Sequence, residues 1–196
     1  MNLHLGWVGP KKTPPHAFKA FELAKSIAKL CNVMLHEGED IIRPSWREKI
    51  SQRNLRPQMI SDIQRHEILK EYGGLWIDLD ICLIEDPINW ASYLSRYTII
   101  KVFDYHSIYG SDIIYVPENW DGWDIIEDHI ENVLNSEKIG IFDIAGDMTK
   151  VFHEEYPELF SAINPGTFFP FDPRKFNIKE SLLTRGFKPP RHLLYQ

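Results

Sequence analysis

Apolar positions along the 196-residue chain change period several times, and each change marks an element. Leu3 to Val8 (LHLGWV) is a short apolar run closed by Gly9-Pro10, the pattern of a first buried strand and a loop. Phe18, Phe21, Ala24, Ile27 and Ala28 then recur at helical spacing with lysines between them. Behind the proline start at Pro15 they predict a helix over 15–30. NVMLH predicts a second strand over 32–36, and the polar stretch GEDIIRPSWREKISQRNLRP a loop with a short helix after Pro44. A longer helix is predicted from Pro57 or Ser61 to Tyr72. Ser61 with Gln64 forms a capping-box pattern, and Gly73 supplies the stop.

Beyond that helix, GLWID and ICLI read as strand on either side of two aspartates. YTIIKVF (97–103) and SDIIYV (111–116) are β-branched, bounded by turn residues, and predict two more strands. Residues 121–135 and 143–156 read as helices. The tail from NPGTFFPFDP to HLLYQ is proline-rich and irregular, with a final short strand. No repeat or low-complexity linker interrupts the chain. Strands alternating with helices predict one α/β domain over 1–196, with a mostly parallel, Rossmann-like central sheet flanked by helices. In such sheets ligands sit beyond the carboxyl ends of the strands.

Composition narrows the classes. A hydrophobic share of 43% and an aromatic share of 13% are those of a folded domain. The formal charge of −6 gives no global basic field, which argues against a nucleic-acid or anionic-membrane partner while leaving room for a local basic patch. Cys31 and Cys82 lack metal-type spacing and read as buried thiols in a reducing compartment. No apolar run reaches the roughly 18 residues of a spanning helix, and the first charges follow the first apolar stretch, the wrong order for a signal peptide. The expectation is a cytoplasmic protein without a transmembrane segment, complete or a module of a larger one.

The chemistry concentrates in EYGGLWIDLDICL, residues 71–83. Strand positions two apart share a face, so Asp78 and Asp80 are expected to point together with Trp76, while Ile77, Leu79 and Ile81 turn the other way. Two neighbouring carboxylates repel, and a hard divalent cation resolves that repulsion. Such a cation takes one or two protein carboxylates and fills its other sites with water and phosphate oxygens. The expected occupant is a metal–diphosphate, with a solvated surface pair as the alternative.

The surrounding stretch, SDIQRHEILKEYGGLWIDLD, resembles the sugar-binding region of the DXD-containing glycosyltransferases of GT-A fold. The group includes glycosyltransferase family 32 and the large clostridial glucosylating toxins. Ser61, Asp62 and Arg65 match the helical Ser-Asp-x-x-Arg, Gly73-Gly74 the glycine pair, Leu75-Trp76-Ile77 the apolar-aromatic-apolar triplet, and Asp78 and Asp80 the acidic motif. LHLGWVGP resembles the family's first strand, whose tryptophan region packs on the nucleotide base, implying donor contacts at Trp7, Val8 and Gly9. IAGDMTK resembles a Gly-Pro-x-x-x-Thr segment with Asp147 in place of the proline, and FFPFDP a Phe-Tyr-Pro segment. HLLYQ resembles a terminal His-x-Trp, without its tryptophan, whose histidine (here His192) helps bind the metal or diphosphate.

The resemblance implies a metal-dependent transferase that moves a hexose or deoxyhexose from a nucleotide-diphosphate sugar, UDP-sugar favoured, to a glycan, glycoprotein or lipid-linked acceptor. Mn²⁺ or Mg²⁺ would be held by Asp78, Asp80 and His192. Arg65 would meet donor oxygens, with Asp62 accepting sugar or ribose hydroxyls; a surface Asp62–Arg65 ion pair is the plain alternative. Trp7 and Trp76 either line the donor site or pack. The family implies retention, whereas an inverting enzyme needs a carboxylate base, for which Asp147 is the candidate. Two other classes stay open. A non-catalytic nucleotide-sugar-binding module would keep the carboxylates without turnover. A haloacid-dehalogenase-type phosphatase would use the first aspartate as nucleophile, but places its motif near the N-terminus and follows it differently.

Overall fold

A computed structural model describes residues 1–9, 12–79, 82–83, 86–90, 100–103, 109–141, 143–145, 154–156, 161–163 and 194–195. The first elements follow the sequence closely: β1 (Asn2–Trp7), α1 (Pro15–Ile27), β2 (Asn32–Glu37), α2 (Pro44–Arg53), α3 (Pro57–Tyr72) and β3 (Gly74–Ile77). After them come β4 (Cys82–Leu83), a 3-10 turn (Pro87–Trp90), β5 (Ile100–Phe103), β6 (Tyr109–Val116), α4 (Trp123–Asn135), β7 (Ser161–Ile163) and β8 (Leu194–Tyr195). All three of α1, α2 and α3 begin with proline in the first turn, where its missing N–H costs nothing.

The central sheet has the order β2-β1-β3-β6-β5-β7. β1 runs parallel to both β2 and β3, and β5 parallel to β7. β6 is antiparallel to β3 and β5, so the sheet is mixed, with parallel pairings in the majority. Alternation along β1 and β3 divides the core in two. Leu3, Leu5, Leu75, Ile77 and Ile113 pack with Ala24 and Ala28 of α1 on one face. On the other, Trp76, Ile114 and Val116 pack with Trp46 and Ile50 of α2, Ile63 and Ile68 of α3, and Ile126 and Ile130 of α4. A two-stranded pairing of β4 with β8 lies outside that sheet.

The glycine pair acts as its sequence suggests. Gly73 caps α3 at φ 56, donating its N–H to the Leu69 carbonyl at 2.9 Å. Gly74 opens β3 at φ 105 against the Asn2 backbone, so close that a Cβ would collide with the Asn2 carbonyl oxygen. Helix and strand are thereby joined without a loop.

Three expectations need correction. α3 starts at Pro57, so Ser61 and Gln64 lie inside the helix and form no capping box; Gln64 instead donates to the Gly38 carbonyl at 2.6 Å. β3 ends at Ile77, so Asp78 follows the strand instead of lying within it. Residues 143–145 form a turn where a helix was expected to start. Most of the remainder of that predicted helix, 146–153, lies outside the described residues.

Candidate active site

β1 and β3 are parallel neighbours in register, Leu3 with Leu75 and His4 with Trp76. Their carboxyl ends therefore meet one edge of the sheet, where β1 runs into Val8 and Gly9 and β3 into Asp78. Continuing the register sets Gly6 level with Asp78. The side chains agree, because a Cβ on Gly6 would collide with the Trp76 ring and with Gln64 Oε1. Gly6 is the gap into which the indole fits.

Trp76 is 1% exposed and belongs to the core, which settles the choice between lining and packing for its ring. Its polar end does more. Trp76 Nε1 donates to Asp78 Oδ1 at 2.7 Å, so the two share a face as the strand period requires, while Ile77 and Leu79 turn to the opposite core.

Asp62 and Arg65, one turn apart on α3, face the same point. Arg65 Nη2 lies 2.9 Å from Asp62 Oδ1 and 3.4 Å from Asp78 Oδ1, with the arginine side chain only 5% exposed. The Arg65 guanidinium carbon stands 5.5 Å from the Trp76 ring centroid. This is no surface ion pair: removing either partner of so buried a contact strands a charge. Both contacts to Asp78 fall on Oδ1, and among the described residues nothing meets Oδ2. The Asp78 side chain is 26% exposed, so the carboxylate is partly open to solvent.

The predicted donor contacts at the end of β1 differ among themselves. Trp7 is half-buried and its ring covers Gly9, whose α-carbon has no room for a side chain. Val8 is 8% exposed and packs in the core on the α3 face, leaving only its backbone to reach a ligand. Asp80, Asp147 and His192 lie outside the described residues. Asp62, Arg65, Asp78 and the Trp7–Gly9 turn are brought to one edge of the sheet.

The fit of a divalent cation turns on Asp78. Among the described residues no group of three or more His, Cys, Asp or Glu side chains could hold a metal. A hard cation that keeps water and phosphate oxygens needs only one or two carboxylates, however, and Asp78 Oδ2 suits that role. Asp62, Arg65 and Asp78 by themselves set two carboxylates against one guanidinium, a local acidic excess that favours a cation.

Sequence reasoning missed two features near this site. His4, fully buried on β1, meets the Gly73 carbonyl through Nε2 at 2.8 Å and His36 Nε2 through Nδ1 at 3.1 Å. Because a carbonyl only accepts, His4 carries its proton on Nε2 when neutral, and His36 then donates to His4 Nδ1. Burial pushes the His4 imidazole down to about 4 and lowers His36 as well. The second feature is a charged belt across α2, α3 and α4. Arg43 Nε lies 2.6 Å from Glu67, Arg43 and Lys70 both bind Glu127, and Lys49 binds Glu131. Trp46 Nε1 donates to Glu131 at 2.7 Å, and the Arg43 guanidinium covers the Trp46 ring at 4.0 Å. Burial raises the Glu67 carboxyl. Burial also pulls Glu127 upward, but bonds from Arg43 and Lys70 outweigh it and hold that carboxyl low.

The fold is that of the GT-A glycosyltransferases. The PaToxG glycosyltransferase superposes with a TM-score of 0.61 at 17% identity, over 80% of this chain and 69% of that one. The galactosyltransferase LgtC, in complex with donor and acceptor sugar analogs, gives 0.53 at 11% identity, covering 97% and 81%. Mouse xyloside xylosyltransferase 1, in its apo form, gives 0.52 at 12%, covering 99% and 96%. No curated protein matches the chain. The family model of the capsular polysaccharide synthesis proteins matches residues 41–141, more than half of the 196, and the chain belongs to that family. The matched stretch contains Asp62, Arg65, Asp78 and Asp80, and leaves Trp7, Asp147 and His192 outside it.

Proposed function

We propose that the chain is a glycosyltransferase that moves a hexose or deoxyhexose from a nucleotide-diphosphate sugar, UDP-linked by preference, to a hydroxyl of a growing capsular glycan. One observation carries the reading. The Asp62–Arg65–Asp78 cluster lies at the carboxyl ends of β1 and β3, with Arg65 buried and Asp78 partly exposed. Fold and family membership agree with it.

Each residue has a task in this scheme. Trp76 and Arg65 fix Asp78 Oδ1 from two directions, so the carboxylate does not swing when a donor arrives. Asp62 holds Arg65 and keeps its guanidinium oriented. That guanidinium supplies positive potential near the leaving diphosphate, in a setting of low dielectric where it counts most. The turn from Trp7 to Gly9 forms the wall against which the base rests. Mn²⁺ or Mg²⁺, held by Asp78 with Asp80 and His192, would neutralise charge on the departing nucleotide. Burial around Trp76 and Val8 excludes water behind the site and favours the acceptor hydroxyl over hydrolysis.

The test is nucleotide release from a panel of UDP- and GDP-sugars with Mn²⁺, against an Asp80→Asn control. Metal-dependent release from one donor, lost in the variant, supports the proposal and names the donor. Thermal stabilisation by a donor without release, even when capsular oligosaccharide is added, would replace it with a non-catalytic binding module. Neither response would remove the reading altogether.

A further inference from the structure

The charge of the chain is unevenly placed. Residues 12–30 carry Lys12, Lys19, Lys25 and Lys29 against Glu22 alone, a local charge of +3 in a protein of −6. All four of these lysines are exposed. The same stretch holds three of the five exposed large hydrophobic residues among those described: Phe18 at 47%, Leu23 at 43% and Leu30 at 71%.

The cause lies in how α1 packs. Its buried positions are Ala17, Ala24 and Ala28, small residues that let the helix sit close to the sheet. Of the large apolar residues in its helical period, Phe21 and Ile27 pack against the core and Phe18 turns outward. Phe18 stacks beside the half-buried Phe21 at 5.9 Å, and the Lys25 ammonium stands 5.9 Å from the Phe21 ring. Aromatic and aliphatic side chains set among lysines form a surface that is both basic and apolar, the chemistry that suits the headgroup region of an anionic bilayer. Among the described residues, two carboxylates near it accept hydrogen bonds from neutral groups and keep their charge. Glu37 accepts from the Thr13 N–H and hydroxyl, and Asp86 from the Leu30 and Ile88 N–H groups and the Cys31 thiol. Glu22 is exposed on α1 itself.

We propose that the outer face of α1, through Phe18, Leu23, Lys19 and Lys25, together with Lys29 and Leu30 of the turn that follows it, docks the protein onto an anionic lipid surface. α1 follows β1, so its first turn starts from the sheet edge that carries the candidate site. A protein seated on this helix holds that edge beside the membrane, within reach of an acceptor carried on lipid. The docking itself rests on α1 alone and does not depend on the transferase reading, which donor turnover without vesicles tests separately.

The experiment is co-sedimentation of the full chain with vesicles of phosphatidylcholine containing phosphatidylglycerol, and with phosphatidylcholine alone, at low and high salt. Binding is expected only to the anionic vesicles, with release by salt. A Lys25→Glu/Lys29→Glu variant should lose at least about tenfold in vesicle affinity, and Phe18→Ser a smaller factor. Lys138→Glu, an exposed change after α4, should bind as the parent does. Circular dichroism confirms that each variant is folded. No binding to anionic vesicles, or binding that the α1 variants leave unchanged, overturns the proposal. Equal binding to both vesicle types does so as well, since it removes the role of charge.

Discussion

α3 carries two ionic clusters, and they differ in their balance. Toward its C-terminal half, Glu67 and Lys70 join Arg43 and Glu127 in a set of two cations and two anions, partly open to water and shared among three helices. At its middle, Asp62 and Arg65 join Asp78, with two carboxylates to one guanidinium among the described residues and almost no exposure of the arginine. The first arrangement is complete in itself and has a plain use, which is to tie α2, α3 and α4 together. The second, among the described residues, sets two carboxylates against one guanidinium. Within one helix, then, the balanced cluster serves the fold, and the cluster at the sheet edge is the one we propose to meet a ligand.

The largest effect should come from removing the single cation of the unbalanced cluster. Arg65→Met leaves Asp62 and Asp78 facing each other under the protein surface and should cost about 3–5 kcal/mol of stability, read from the urea midpoint. If the cost is near zero, the cluster is far better solvated than its burial indicates.

A buried neutral group offers a reference against which both clusters can be judged. The pKa of His4 is held at about 4 in the folded chain, below the ordinary 6.5, so the unfolded chain takes up the proton first. Stability from neutral His4 is complete above pH 6.5 and falls as the pH drops toward 4, by about 3 kcal/mol at most. His4→Gln should flatten that part of an acid unfolding series. An unchanged slope would assign the acid loss to the carboxylate clusters.

Asp78→Asn addresses function more than fold. Asp62 still pairs with Arg65 at 2.9 Å, so the urea midpoint should barely move. Nucleotide release should fall about 100-fold. Equal losses of both would place Asp78 with the structural cluster. The smallest effect belongs to the balanced set: Arg43, 31% exposed, is expected to contribute only about 1 kcal/mol, so Arg43→Ala should lower the midpoint slightly and leave donor turnover intact.

Much of this was readable from local pattern. The alternation Leu75-Trp76-Ile77 assigned each side chain to its face, though not Trp76 to the core, and Gly73-Gly74 marked the join of α3 to β3, because both depend on neighbours within a few residues. Asp62, Arg65 and Asp78 were legible as a group, through the spacing of the motif they share with GT-A enzymes. The outward turn of Phe18 was not, since apolar period cannot say that a sheet will accept alanines more readily than phenylalanines. Nor was the Arg43–Glu127 contact, whose partners are 84 positions apart on different helices. The bond from Trp76 to Asp78 falls between these cases. Strand period put the two on one face, but only the depth of the indole beside Gly6 aimed its N–H at the carboxylate.

The pairing of Cys82–Leu83 with Leu194–Tyr195 joins residues 111 and 113 positions apart through an antiparallel backbone ladder. On a ribosome, β1, β3 and α3 are made long before residues 194 and 195, and their local contacts form early. The stretch just after Asp78 has to wait for its partner strand. The β4–β8 pairing is thus timed by translation and is completed only once the distal strand has emerged.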